Sequence, residues 1–192
     1  MRTLVSACLL CLLLAAPAFA QMGGAAAKPG PMASPMANPI TAGAKTPYDM
    51  VKGYITKSAA AATDAVFAFK ATPEVRSFGQ IIGHIADANY MICSAAAGEK
   101  SPGTGDIEKT KTTKADLSGA LGESFSYCDT VFAAMTDAEG AKAVKFMMGG
   151  DMAKLSILAF NTAHDFEHYG NLVTYMRLNK MVPPSSQGAM GR

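Results

Sequence analysis

Apolar side chains recur three and four residues apart through most of the chain after about residue 47. This spacing is typical of amphipathic helices, and the chain lacks the alternating β-branched runs that would indicate strands. The pattern predicts four helices, at about 48–70, 77–97, 113–136 and 152–179. Four helices of this length with apolar stripes predict an all-α fold, a four-helix bundle.

The two middle helices have the clearest stripes. The stripe of the second helix contains Phe78, Ile81, Ile85, Ala88 and Ile92. The stripe of the third helix contains Leu117, Leu121, Phe125, Cys128, Val131, Phe132 and Met135. A glycine turn is predicted at KFMMGGD, which separates the third helix from the last.

The last helix has apolar residues on two sides. One side carries Ile157, Phe160, His164, His168, Tyr175 and Leu178. The other side carries Leu155, Thr162, Phe166, Tyr169 and Val173. A helix that is apolar on two sides is buried on two sides. One side faces the core, and the other meets the first helix or a second subunit, from which we expect a homodimer.

The N-terminal segment has the organisation of an exported protein. Residues 1–20 combine a basic residue, an apolar run and small residues before Ala20, which predicts a signal peptide cleaved after that residue. The run is too short for a stable membrane anchor. We expect a flexible Ala/Gly/Pro linker over 21–46, the bundle over 47–186 and a frayed end over 187–192. The predicted location is periplasmic or secreted.

The charge of the chain bears on one class of partner, the nucleic acids. Cleavage removes Arg2 and no acidic residue, so the formal net charge falls from +2 to +1. No basic stripe interleaved with aromatic residues is present, and we therefore expect no binding to nucleic acid.

Two cysteines remain after cleavage, Cys93 and Cys128. An exported protein with two cysteines favours one disulfide, here between the second and third helices. Two separate buried thiols, acting as small apolar side chains, are the alternative.

The chain has three histidines, and two of them, His164 and His168, are four positions apart in the last helix. Residues at this spacing share one helix face, so two imidazoles can bind one divalent ion. His84 in the second helix is available as a third ligand. Three protein ligands and an open position are typical of a catalytic or substrate-binding metal site. The alternative is that the histidines fill polar pockets in a structural role.

Other polar residues lie near the predicted histidine face. Tyr175, Asn161 and Asn171 could hydrogen-bond to the histidines or to a ligand. Asp165 and Glu167 are expected to point away from that face, and to be solvated or to support the ligands through hydrogen bonds rather than to be ligands.

Two segments, SFGQIIGHIADANYMICSAAAGEK and AFNTAHDFEHYGNLVTYMRLNKMVPPSS, resemble the DinB/YfiT-like proteins over about residues 47–186. That family places one histidine in the second helix and a His-x-x-x-His pair in the last long helix, which here are His84, His164 and His168. The resemblance implies a four-helix bundle, a divalent ion such as zinc, nickel or iron, and often a dimer. Relatives include thiol-dependent transferases and isomerases.

Two functions follow from these observations. The first is an exported metal-dependent hydrolase or transferase that acts on a small molecule. The second is a non-catalytic helical module that binds a metal or small ligand in a stress-related role.

Overall fold

The structure is a computed structural model, and it describes residues 36–147 and 149–188. The predicted signal peptide, most of the predicted linker and the last four residues lie outside the described residues. Within the described ranges the fold is mostly helical, with α1 (Pro39–Ala61), α2 (Asp64–Ala68), α3 (Phe78–Ala97), α4 (Ile107–Thr110), α5 (Lys114–Ala134), α6 (Asp137–Gly140) and α7 (Lys154–Leu178). A 3₁₀ turn follows at Pro184–Ser186.

The four long helices pack around one core. Helix α3 packs against α5 and α7, and α1 packs against the same two helices. Every residue predicted in the stripes of the two middle helices is buried. The largest fully buried side chains come from all four helices: Tyr48, Ile55, Phe78, Ile82, Ile85, Ile92, Leu121, Phe125, Ile157, Leu158, Leu172 and Met176.

The described residues also include two strands, which the helical pattern did not predict. Strand β1 (Ala143–Phe146) pairs antiparallel with β2 (Gly150–Ala153). The predicted glycine turn at KFMMGGD is therefore part of a hairpin. Four-residue strands are too short for alternation to be recognised in a sequence. The hairpin places the buried Phe146 edge-on against Phe160 of α7, with ring centroids 5.6 Å apart.

Helix α1 begins earlier than predicted. The sequence predicted a linker to residue 46, whereas the helix starts at Pro39 and continues through Pro47. Proline is tolerated at the first helical position, because no intrahelical partner exists there for a backbone N–H. The helix also ends earlier than predicted, at Ala61, and Thr63 caps the separate α2.

Reciprocal hydrogen bonds with α6 hold the start of α1. The Asp137 carboxylate accepts from the backbone N–H groups of Ile40 and Thr41 at 3.1 and 2.8 Å. The Asn38 side chain in turn accepts from the backbone N–H of Asp137 at 3.0 Å. The cap of α1 thus comes from a residue almost one hundred positions away, which local sequence signals cannot reveal.

The second side of α7 is covered by α1. The Tyr169 ring stacks on Tyr54 with centroids 5.0 Å apart. Of the apolar residues predicted on its two sides, Phe160, Phe166 and Leu178 are exposed instead. The first helix therefore accounts for the burial that had suggested a second subunit.

A disulfide joins Cys93 of α3 to Cys128 of α5, with Cα atoms 5.5 Å apart. Both residues are fully buried. A link that closes a loop of this length stabilises a fold by about 3–4 kcal/mol in the chain-entropy account. None of the helices in the described ranges is long and apolar enough to cross a membrane.

Replacing Asp137 with alanine removes both acceptors from the first turn of α1. We expect the amide hydrogens of Ile40 and Thr41 to exchange with solvent several-fold faster, as measured by NMR hydrogen exchange. Asp151→Ala is the control, because it breaks only an exposed ion pair with Lys145 in the hairpin. Unchanged exchange at α1 in Asp137→Ala would contradict this role for the carboxylate.

Candidate metal centre

Three imidazoles from two helices converge on one point. His84 projects from α3, and His164 and His168 project from successive turns of α7. The Nε2 atom of His164 lies 3.3 Å from Nε2 of His84 and 3.1 Å from Nε2 of His168. One nitrogen from each ring thus lies within 4.8 Å of the other two. The structure therefore brings together the three histidines predicted as ligands.

Hydrogen bonds alone cannot satisfy this arrangement. The Nε2 atom of His164 carries either one hydrogen or one lone pair, so it can pair with only one of its two neighbours. A divalent cation would accept all three lone pairs at once. Zinc–nitrogen bonds of about 2.0–2.1 Å at tetrahedral angles separate neighbouring nitrogens by about 3.3 Å. The observed separations fit that value, and the residues present therefore fit a metal ion.

The surroundings keep the imidazoles neutral. Burial, together with the charge of Arg76, lowers the pKa of His84. Burial and the neighbouring His84 lower the pKa of His164. Burial, followed by the other two histidines, lowers the pKa of His168 to about 4. Neutral rings have free lone pairs at neutral pH, which metal binding requires.

A carboxylate holds the other side of the His84 ring. Glu108 Oε2 lies 3.3 Å from Nδ1 of His84, so that nitrogen carries the hydrogen and Nε2 is left with its lone pair. Glu108 Oε1 accepts from Nε of Arg76 at 2.9 Å. The Tyr175 hydroxyl donates to the backbone carbonyl of Arg76 at 2.6 Å. Tyr175 therefore acts on the centre indirectly, through the segment that carries Arg76.

Helix α4, which carries Glu108, is fixed against α3 by two features. The Asp87 carboxylate, one turn after His84, accepts from the backbone N–H groups of Ile107 and Glu108 at 3.0 Å each. Gly83 lets the two helices approach closely, because a Cβ at this position would lie 2.7 Å from Cα of Glu108. Helix α3 thus supplies one of the three histidines and also positions the carboxylate that orients it.

The two predicted asparagines have different partners. The Asn171 side-chain amide lies 3.3 Å from Nδ1 of His168. The Asn161 side chain makes no hydrogen bond to the histidines. Its Nδ2 donates to Oδ1 of Asn89 at 2.9 Å and lies 3.3 Å from Oδ2 of Asp165. Asn161 therefore belongs to a buried polar group between α3 and α7.

The Asp165 side chain is fully buried, so the first of its two expected roles, as a solvated group, is wrong. Burial raises the pKa of its carboxyl well above the usual value. The Asp165 side chain lies on the core side of α7, where its Oδ2 is 3.3 Å from Nδ2 of Asn161. Glu167 is exposed, as predicted.

Two cavities of similar size reach the histidines. The first, of about 540 Å³, is lined by His84 and His164 together with apolar side chains of α3, α7 and the hairpin. The second, also about 540 Å³, is lined by His168 together with polar residues that include Arg76, Asn171 and Tyr175. A larger cavity, of about 920 Å³, lies beside α2 and the start of α5, and it includes Glu108 but none of the histidines.

The family follows from comparison with known proteins. Residues 48–172, more than half of the chain, match the model described as the DinB superfamily. The chain belongs to the DinB superfamily. The resemblance inferred from the second and last helices is confirmed at the level of the family.

Solved structures agree with this membership. A DinB-like protein from Bacillus cereus has a TM-score of 0.66 at 19% identity, over 74% of this chain and 95% of that chain. A mycothiol-dependent maleylpyruvate isomerase has a TM-score of 0.58 at 15% identity, over 69% of this chain and 60% of that chain. At such identities the similarity shows the fold alone. No curated protein matches this DinB-superfamily chain.

The sequence indicated no role at the centre for three residues that the structure places around it, which are Arg76, Asp87 and Glu108. Arg76 and Glu108 lie in segments predicted as connections, where nothing indicates a long-range partner. The available signal was the position of Asp87 one turn after His84, since an acidic residue there lies on nearly the same face. Its actual partner, the start of α4, is set by tertiary packing.

Gly83→Ala should displace α4 and weaken the centre of this DinB-superfamily protein. The added Cβ meets backbone atoms, which cannot rotate away, so we expect a loss of about 1–3 kcal/mol in unfolding free energy. Displacement of Glu108 should also weaken zinc binding about tenfold. Chemical denaturation and zinc titration with a competing chelator measure the two effects.

Gly122→Ala in α5 is the matched control, because nothing lies within 4 Å of a Cβ there. This change should leave zinc affinity unaltered and stabilise the helix slightly. Equal zinc affinity in both variants would show that the approach of α4 to α3 does not support the centre.

Proposed function

We propose that this chain is an exported DinB-superfamily protein in which His84, His164 and His168 hold one divalent ion of zinc, nickel or iron. The ion would serve a hydrolysis or transfer reaction on a small molecule, within the four-helix bundle that the family resemblance implies. The observation that carries the proposal is the position of His164 Nε2, within 3.3 Å of the other two Nε2 atoms.

A divalent ion in this setting supplies Lewis acidity to a fourth ligand, either water or the thiol of a small molecule. The residues of the chain supply the orientation. Glu108 accepts the Nδ1 hydrogen of His84 and so directs the lone pair of Nε2 toward the other rings. Asn171 can accept the Nδ1 hydrogen of His168 through its amide oxygen, since the two ends of an asparagine amide are interchangeable by rotation.

The carboxylates around the centre favour transfer over hydrolysis. Asp87 and Glu108 are both engaged, one at the start of α4 and the other with Arg76 and His84. Glu74 lines the polar cavity, but hydrogen bonds from its own backbone N–H and from Thr72 lower its pKa. A carboxylate with a lowered pKa is a weak general base for water. The fold shared with a mycothiol-dependent isomerase supports a thiol as the molecule that is activated.

The convergence of the three imidazoles also supports the alternative of a non-catalytic module that binds a metal or small ligand. Assays of ester hydrolysis and of thiol addition to an electrophile, with the zinc-loaded protein and His164→Ala, separate the two functions. Turnover that depends on His164 supports the enzyme. Stoichiometric metal without turnover in either assay favours the binding module.

The proposed compartment is the periplasm or the exterior of the cell. The disulfide between Cys93 and Cys128 supports it, because such links persist in oxidising compartments.

A homodimer also stays a proposal. The exposed Phe166 and Leu178 of α7 are apolar surface available for such a contact.

Metal analysis tests the proposed ligands. We expect about one divalent ion per chain in native protein purified without chelator or nickel resin, and less than about a tenth of that in His84→Ala and His168→Ala. Mass spectrometry with an inductively coupled plasma measures the content. Glu167→Ala is the control, because this exposed residue lies between the two histidines of α7 and should leave the metal content unchanged. Equal metal in all four proteins would rule out the three histidines as the ligands.

Intact-mass analysis tests export. We expect the mature protein from the periplasm or medium to begin at Gln21, and to take up a thiol-alkylating reagent only after denaturation and reduction. A protein that retains Met1, or that has two free thiols when denatured without reductant, would contradict the proposed compartment.

A further inference from the structure

The cavity beside His84 and His164 is bordered by exposed apolar side chains. Met91 of α3 is 50% exposed, Met147 in the hairpin turn is 65% exposed and Phe160 of α7 is 38% exposed. All three line this one cavity. Large apolar side chains left in water around a concavity mark a binding surface, whereas single scattered ones do not. We use the name apolar cleft for this cavity.

The walls of the apolar cleft come from separate parts of the fold. Met91 is two turns after His84 on α3, and Phe160 is one turn before His164 on α7. Phe146 of the hairpin packs edge-on against Phe160 and supports that wall. Ser101 and the segment 103–105 complete the lining. Met91 and Phe160 thus lie on the same two helices as His84 and His164, and Met147 comes from the hairpin.

The charged groups of the lining do not call for a charged ligand. The Asp87 carboxylate already accepts two backbone N–H groups, and Glu108 already contacts Arg76 and His84. Lys109 is the other charged residue of the lining and is exposed. Both carboxylates are thus engaged within the fold, which leaves the exposed apolar side chains and Lys109 to meet a ligand. A cavity of about 540 Å³ falls in the range of small-molecule sites.

The second cavity has the same volume, but its lining is more polar than that of the apolar cleft. Arg76, Asn171 and Glu74 surround the side of the centre where His168 lies. A ligand that reaches the histidines through the apolar cleft therefore enters an apolar environment first, and the polar cavity is left to water or to polar groups.

From these observations we propose the ligand class of the metal centre, an inference that rests on the proposed function. The ligand is a small molecule with an apolar body, aliphatic or aromatic, which fills the apolar cleft, and with one donor group that reaches the ion at His84, His164 and His168. Met91, Met147 and Phe160 select the apolar body.

Two hydroxamic acids test the proposal, because they share a metal-binding head and differ in the apolar body. Binding of octanohydroxamic and acetohydroxamic acid to the zinc-loaded protein is measured by calorimetry. Each methylene group that the cleft buries should strengthen binding about fourfold, so burial of only two gives more than about tenfold preference for the longer compound. Equal affinities would overturn the proposal.

Variants of the wall provide the second comparison. Met91→Gln, and Met147→Gly, which suits the positive φ of 46° at that residue, should each reduce the preference by about threefold or more. Met50→Gln is the matched control, since Met50 is 49% exposed on α1 and lies outside the cleft. A reduction in Met50→Gln equal to that in Met91→Gln would overturn the role of the cleft.

A metal-free measurement separates this proposal from the metal proposal. 4-Phenylbutan-1-ol, which has an apolar body and no strong metal-binding head, should shift the NMR amide signals of Met91, Ile92 and Phe160 in metal-free protein. If these shifts occur but no metal binds, the metal proposal fails while the apolar cleft stands. If zinc binds but the shifts are absent, the ligand class is wrong.

Sedimentation showing a dimer that hides these residues would overturn the proposal in favour of a second copy of the chain.

Discussion

The Nε2 atom of His164 has two nitrogen neighbours and can satisfy only one of them with a hydrogen bond. A cation at the point where the three imidazoles meet would satisfy all three of them at once. Burial lowers the pKa of all three rings, so protonation cannot relieve the arrangement at neutral pH. The packing of the helical core holds these three neutral imidazoles in contact.

Helix α3 is the element on which this arrangement depends. Within three turns it supplies His84 to the centre, Asp87 to the start of α4, Asn89 to α7 and Cys93 to the disulfide with α5. Gly83 permits α4 to approach closely enough for Glu108 to reach the His84 ring. The polar partners of α3 thus fix its rotation and its height relative to α5 and α7, which apolar packing alone determines less strictly. The same links place the apolar wall at Met91 in a constant position beside the three histidines.

Much of the fold and of the candidate site was predictable from the sequence. The remainder depends on contacts between residues that are distant along the chain. The apolar periods identified all four long helices, and the spacing of His164 and His168 identified the shared face, because both signals are local and repeat at 3.6 residues. The early start of α1 was missed because its cap is Asp137, which belongs to α6. Glu108 was missed because a four-residue helix in a polar connection has no recognisable period. The burial of Asp165 was not foreseen because its partner Asn161 lies inside the core, a contact that sequence polarity does not reveal.

X-ray absorption spectroscopy at the edge of the bound metal tests the central claim most directly, because it reports the ligands themselves. The account predicts nitrogen neighbours at about 2.0–2.1 Å with the multiple scattering of about three imidazole rings. It also predicts that the imidazole signal falls in His84→Ala loaded with the same metal. A spectrum dominated by sulfur, or by oxygen without imidazole scattering, would contradict the claim that these three histidines form a metal centre.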